Sequence, residues 1–406
     1  MSDIKKIPNN WAFHTVNGFT PIINVAGRMT SLGTSITVPQ SRDAMAQIMP
    51  CFVDTHELQA AASKTIARFC HSEAGFVTAC SSAGISLSIA ATMTGCDLAH
   101  IERLPRNPGV KRDVVLMQNH LSSYGTSVRQ AIELCGANPV PIGTSNSVFD
   151  YQLKAALGEN ATAGLYVVSH ALSGFARIPL PRFAEICHAA GVPVIVDAAA
   201  EQDPHRFLQA GADIVIFSAQ KYLGGPTGGI VAGRKALIRA AYMQNIGIGR
   251  AMKVGKETVF GIMAALDAFT DCDFPALRAT RLEALKAWQT AVKNVAGVQT
   301  SIIPDPAGNP VDRLKLTLDP DVTGISAASL CQALAAGTPS IIARGKGIGV
   351  DFLVLDSCQL GPRHQEMVTT RLKEIFANVA DHTFAEPDPN DIRNHFATEY
   401  ARWLAE

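Results

Sequence analysis

Between residues 75 and 235, short apolar runs alternate with stretches of helical period. The runs fall at 75–78, 113–117, 165–168, 194–196 and 213–217. Apolar throughout, they predict strands buried on both faces of a mainly parallel sheet. Helices are predicted between them, for example at 124–135 and 181–190, the latter closed by Gly191 and Pro193. Such sheets carry their chemistry on loops at the strands' carboxyl ends. After about residue 275 the pattern changes to a long helix at 275–295, strands at 298–304 and 313–318, and a helix at 326–336. Two more strands are expected near Ser340 and Phe352, then a helix at 362–377, which together predict a smaller α+β domain. An aromatic-rich amphipathic helix is expected within 378–406. The expected division is an arm at 1–45, a large domain at 46–272 and a small carboxyl-terminal domain at 273–406.

Charge narrows the class. The 406 residues hold 35 Lys+Arg against 35 Asp+Glu, so no basic excess is present to meet a nucleic-acid backbone or a membrane surface. Charged residues make up 17% of the chain, below the roughly 25% of an average soluble protein, so part of the surface is expected to lie in a homo-oligomer interface. The nine cysteines include no C-x-x-C pair. They read as reduced thiols of a cytoplasmic protein, neither a disulfide frame nor a metal site. Residues 75–96 carry no charge and are long enough to span a bilayer. Seven of them are Ser or Thr and a Ser-Ser-Ala-Gly turn interrupts them, so a strand, a turn and a buried helix are expected instead.

Three loop features then share one sheet edge. Ser81-Ser82-Ala83-Gly84 stands between a strand and a helix, where backbone N–H groups and two hydroxyls make a phosphate cradle; an ordinary N-cap is the plainer alternative. Asp197 ends an apolar strand, a costly place for a carboxylate unless a cation meets it, although a loop-fixing Asp is also common there. Lys221 follows the strand at 213–217 and precedes the glycine-rich 224–229, where desolvation would activate its amine; a solvated surface lysine is the alternative.

Cradle, carboxylate and then lysine 24 residues later, each after a strand, is the order found in fold-type I pyridoxal-phosphate enzymes, which this chain resembles. The segment SAQKYLGGPTGGIVAGRK is similar to the lysine loop of bacterial selenocysteine synthase, the seryl-tRNA selenium transferase, and its shorter relatives. PIINVAGRMTSLGTS and NIGIGRAMKVGKE resemble other parts of that family's site. The resemblance implies a fold-type I transferase fold, with a mainly parallel seven-stranded sheet in the large domain and a small carboxyl-terminal α+β domain. It implies pyridoxal 5'-phosphate held as an aldimine on Lys221, with Asp197 keeping the pyridine nitrogen protonated. Ser81, Ser82, Ala83 and Ser218 would serve the phosphate, and Ala199 would let the ring lie close to its strand.

Further assignments follow from it. His120, in QNHLSSYG, would stack on the ring, against the alternative of a packed loop histidine. Ser169 or His170 would meet the cofactor's phenolic oxygen, with His170 favoured. Arg344 is a candidate for the substrate's carboxylate, with a plain surface arginine as the alternative, and Arg28 is a second candidate for its anionic groups. Arg250 or Lys253 would reach a neighbouring subunit's cofactor phosphate, the alternative being a surface charge cluster.

The selenium transferase carries an added amino-terminal tRNA-binding domain, whereas this chain enters the shared core within about 20 residues. With zero net charge, that departure implies a small-molecule enzyme, similar to the family's ammonia-lyases of hydroxy amino acids and amino-sugar acids. The expected reaction is α,β-elimination of a β-hydroxy amino acid or amino-sugar acid to a 2-oxo acid and ammonia, with Lys221 and His120 moving protons. The alternatives are a pyridoxal-phosphate aldolase, racemase or aminotransferase and, less favoured, a selenium transferase acting on aminoacyl-tRNA.

Overall fold

The computed structural model describes residues 11–169, 177–345 and 351–379. His170 and almost all of the helix expected within 378–406 lie outside them. The chain divides into two compact units, one running Ile36–Cys272 and the other joining the residues up to Ser35 with those from Asp273 onward.

The first unit is built on seven strands in the order Ala74–Thr78, Gly229–Gly233, Ile214–Ser218, Val194–Asp197, Ala161–Val167, Asp113–Met117 and Asn138–Ile142. Gly229–Gly233 runs antiparallel to both of its neighbours, and the remaining pairs of the sheet are parallel. β-branched residues dominate the central strands because they fit a pleated surface packed on both sides. Alternation sorts them between the faces: Val194 and Val196 join one apolar cluster and Ile195 the other, and all three are fully buried. The uncharged stretch forms the strand Ala74–Thr78 and the buried helix Ser81–Thr94. No helix among the described residues is long and apolar enough to cross a membrane.

Three departures from the expected elements have local causes. The helix expected from residue 124 begins only at Val128, because Ser127 caps it by accepting the Arg129 N–H at 3.2 Å. Asn138–Ile142 carries two prolines, which belong on an edge strand, and it is the sheet's outer strand. Gly229–Gly233 is a strand that the pattern does not predict, and it opens on the last of the glycine-rich residues 224–229.

In the second unit, the strands Arg344–Gly345, Phe352–Asp356, Asp312–Leu318 and Val298–Pro304 form an antiparallel sheet in that order. Leu314, Leu316 and Leu318 point to its buried face, while Arg313, Lys315 and Thr317 alternate away, the pattern of a sheet covered on one side. Helix Phe274–Val292 starts where Asp273 accepts the Ala276 N–H at 3.0 Å, and it buries Trp288 completely. Shortening one of the fully buried leucines to Ala would cost about 2–5 kcal/mol. Strand Ile22–Asn24 pairs in parallel with Ser340–Ile342, so the start of the chain is part of this unit.

Candidate active site

Within the first unit, neighbouring strands bring two of the expected groups together. Val194–Asp197 ends on Asp197, and the adjacent strand ends on Ser218. The Lys221 N–H returns to the Ser218 carbonyl at 3.2 Å, so the lysine lies one tight turn past its strand. Asp197 is 7% exposed, and its Oδ1 accepts the Ala199 N–H at 3.1 Å. Burial pushes its carboxyl above the ordinary range, while the Lys221 charge and the Ala199 N–H pull the other way. Desolvation wins here. A ligand bringing a positive charge to this carboxylate would offset that cost, so the site suits a protonated ring nitrogen.

The turn before helix Ser81–Thr94 is fastened to the same sheet edge. The Ser81 hydroxyl donates to the Phe217 carbonyl at 3.2 Å, the Thr78 hydroxyl donates to the Cys80 carbonyl at 2.9 Å, and Cys80 Sγ accepts the Ala83 N–H at 3.4 Å. Gly229 makes this packing possible, since a Cβ there would lie 2.4 Å from Thr78 Oγ1 and 2.5 Å from the Cys80 carbonyl oxygen. The helix start carries the Ser81 and Ser82 N–H groups, which have no carbonyl partner within the helix, and the Ser82 hydroxyl, a donor set suited to a phosphate. Gly224 adopts φ +65 in the lysine loop, and its carbonyl accepts the Val38 N–H at 2.9 Å.

Tyr124, which the sequence pattern had absorbed into a helix, stands at this edge. Its hydroxyl lies 2.9 Å from Ser82 Oγ. Burial foremost keeps the phenol neutral, and the electrostatic influence of Asp197 and Cys80 adds to this. Gly125 at φ +115 and the cap at Ser127 were the signals of a loop here.

His120 is fully buried, with its ring edge-on to Tyr166 at 4.7 Å. Its Nδ1 accepts the Val167 N–H at 3.1 Å, which leaves the proton on Nε2; that nitrogen has no partner among the described residues. Burial, then the charge of Arg177, lowers the imidazole to about 3, so it is a neutral N–H donor.

Ser218 is buried and Ala199 half-buried beside Asp197; Ser169 is half-buried after its strand. Arg250 and Lys253 are exposed, on and just after a short 3-10 helix, Ile248–Met252. Arg28 and Arg344 belong to the second unit, where Asp356 lies close to both.

Sheet order, the strand-end carboxylate and the lysine turn define an α/β protein of the pyridoxal-phosphate fold-type I class. Residues 107–312 match the L-seryl-tRNA selenium transferase family, and the chain belongs to that family. It is 32% identical to the D-glucosaminate-6-phosphate ammonia lyase of Salmonella typhimurium over 364 residues, 90% of this chain and 98% of that protein. It is equally 32% identical to a 5'-C-glycyluridine monooxygenase-decarboxylase of a Streptomyces species, over 93% of this chain and 94% of the relative. A solved structure of D-glucosaminate-6-phosphate ammonia-lyase superposes with a TM-score of 0.82 at 31% identity, over 92% of this chain and all of that one.

Proposed function

We propose that this chain is a pyridoxal-phosphate-dependent ammonia-lyase that converts an amino-sugar acid into a 2-oxo acid and ammonia by α,β-elimination. The observation that carries this reading is the near-full-length likeness to D-glucosaminate-6-phosphate ammonia lyase, in sequence and in fold. When bound, pyridoxal phosphate supplies an electron sink for the pair left at Cα.

The chain's own residues do the rest. Lys221 would hold the cofactor through Nζ, and the same nitrogen, when free, would take the Cα proton of the substrate. Asp197 holds the proton on the ring nitrogen. The helix start at Ser81, Ser82 and Ala83, with Ser218, receives the phosphate, and Ala199 leaves room for the ring. The protonated Lys221 then delivers its proton to the departing β-oxygen. His120, as a neutral imidazole, offers its Nε2–H to the ring face of the site, and Ser169 or His170 meets the phenolic oxygen. Arg28 and Arg344 receive the substrate's anionic groups. The exposed Arg250 and Lys253 serve the phosphate of a second copy in a cytoplasmic homo-oligomer.

The test is an assay with D-glucosaminate 6-phosphate and its unphosphorylated form, run with and without oxygen. Equal yields of ammonia and 2-oxo acid, independent of oxygen, are expected. Borohydride reduction of the holoenzyme should leave a pyridoxyl group on Lys221. Release of carbon dioxide with consumption of oxygen, or no ammonia from either compound, overturns the proposal.

A further inference from the structure

The contact between Ser82 and Tyr124 in the first unit has a use that the elimination scheme leaves open. Tyr124 is held by a turn closed on itself. Its N–H donates to the Thr126 carbonyl at 3.0 Å, the Val128 N–H donates to the Ser122 carbonyl at 3.0 Å, and Ser123 and Ser127 form an antiparallel bridge around it. Gly125 completes the turn at φ +115, a conformation that glycine adopts without strain. Tyr124 itself is 45% exposed, so part of it is open to a ligand.

The hydroxyl hydrogens at the start of helix Ser81–Thr94 can be followed one by one. Ser81 gives its own to the Phe217 carbonyl at 3.2 Å, and Thr78 gives its own to the Cys80 carbonyl at 2.9 Å. The Ala83 N–H is taken by Cys80 Sγ at 3.4 Å, and the Gly84 N–H by the Cys80 carbonyl at 3.1 Å. The Ser81 and Ser82 N–H groups have no carbonyl partner within the helix. A phosphate monoester brings three acceptor oxygens, so two N–H groups leave acceptor capacity over. Ser82 Oγ and the Tyr124 hydroxyl oxygen lie 2.9 Å apart and share one hydrogen bond. Each hydroxyl owns a single hydrogen, so the bond between them uses one and leaves the other to point elsewhere. Whichever of the two donates within the pair, one O–H remains for a ligand at the helix start.

That O–H exists only while the phenol is protonated. Burial foremost, then Asp197 and Cys80, raise its pKa against the opposing pull of the Ser82 hydrogen bond. The influence of Asp197 also places the phenol within electrostatic reach of the carboxylate proposed to face the ring nitrogen. Tyr124 is thus near both ends of the proposed cofactor site.

We infer that Tyr124 is a cofactor-binding residue, coupled to Ser82 so that the two hydroxyls act as one hydrogen-bond donor to the cofactor's phosphate. The identity of the ligand rests on the proposed function. The pairing of the hydroxyls as an anion donor can be tested without it.

The test uses the full-length apoprotein as wild type, Tyr124→Phe, Ser82→Ala and the double variant. Dissociation constants are measured by protein fluorescence for pyridoxal 5'-phosphate and for pyridoxal, which lacks the phosphate. Thermal unfolding is followed with added inorganic phosphate. Tyr124→Phe keeps the ring and removes the hydroxyl. It should weaken pyridoxal phosphate binding about tenfold, the scale of a hydrogen bond to a charged group, and leave pyridoxal binding unchanged. The double variant should lose about as much as the more affected single variant, because the pair presents one donor. Inorganic phosphate should raise the wild-type Tm by mass action, and less so in each variant. Unchanged pyridoxal phosphate affinity in Tyr124→Phe, equal losses for the two ligands, or losses that multiply in the double variant overturn the inference. If the wild type eliminates amino-sugar acid while Tyr124→Phe binds both ligands as the wild type does, the reaction stands and the donor pair fails. If the wild type eliminates nothing yet its phosphate response is lost in the variants, the proposed reaction fails and the donor pair stands. A wild type that neither binds pyridoxal phosphate nor responds to inorganic phosphate overturns both.

Discussion

Ser82 and Tyr124 bring their hydroxyl oxygens to 2.9 Å of each other across the start of the helix Ser81–Thr94. Two elements far apart in sequence thus meet where a phosphate is proposed to bind. Tyr124→Phe removes one partner of this hydrogen bond at little cost in packing. It should lower stability by about 0.5–1.5 kcal/mol, read from urea unfolding of the apoprotein. Retained stability together with unaltered cofactor affinity would mean that the contact does no more than fill space.

Lys221 is assigned both the covalent tether and the Cα base. Lys221→Ala should reduce elimination by a factor on the order of a thousand or more, because it removes the proposed tether and the proposed Cα base together. The variant should still bind the cofactor, reversibly, through the phosphate contacts. Turnover near that of the wild type would remove Lys221 from the mechanism.

Asp197 sets stability and activity against each other. Its carboxyl is raised in the folded apoprotein, mainly by burial. The folded state therefore holds a proton that the unfolded state has already released, and stability falls as pH rises from about the unfolded value near 3.9 toward the folded one. Asp197→Asn should abolish this dependence and raise the apoprotein's Tm at neutral pH, while elimination drops sharply because an amide cannot keep a ring nitrogen protonated. A Tm that falls instead would show that Lys221 outweighs desolvation.

Gly229→Ala places a methyl group against Thr78 Oγ1 and the Cys80 carbonyl. Neither the strand nor the turn can yield cheaply, so a loss of about 1–3 kcal/mol is expected on chemical denaturation. Cofactor affinity should fall with it, as the turn that leads into Ser81 moves. An unaltered midpoint and affinity would mean that the turn is softer than its hydrogen bonds suggest.

Arg313→Ala leaves Asp305 and Asp356 buried without their shared cation. The expected cost is about 3–5 kcal/mol near neutral pH. The sign of the pH effect is opposite to that at Asp197. The Asp356 carboxyl is depressed in the folded state by Arg28 and Arg313, so its contribution is present above the unfolded value and is lost as pH falls through the folded one. Acid unfolding curves of wild type and variant should therefore converge at low pH.

Much of this was legible in the chain because the central strands are unbroken apolar runs. Val194–Asp197 and Ile214–Ser218 have little other way to satisfy their side chains, and Asp197 and Lys221 stand out against that background. Gly229–Gly233 was hidden because its glycines serve close packing, Gly229 against Thr78 and Cys80 and Gly233 against Asp213 and Ile214, which composition cannot distinguish from a flexible loop. Tyr124 was missed because the helical period that follows Ser127 was extended back past this cap to residue 124. The expected stacking role of His120 rested on its place after a strand. Its hydrogen bond to Val167 comes from a neighbouring strand, a relationship that no local pattern encodes.

The parallel pairing of Ile22–Asn24 with Ser340–Ile342 has a consequence for biosynthesis. At ribosomal rates of about 5–20 residues per second, the first strand waits on the order of 15–60 seconds for its partner to emerge. The continuous unit Ile36–Cys272 is complete well before that. During the interval Ile23 and Val25, fully buried in the finished protein, have no core to enter. The nascent chain therefore exposes a short apolar tail ahead of an already folded body, the kind of segment that chaperones shield.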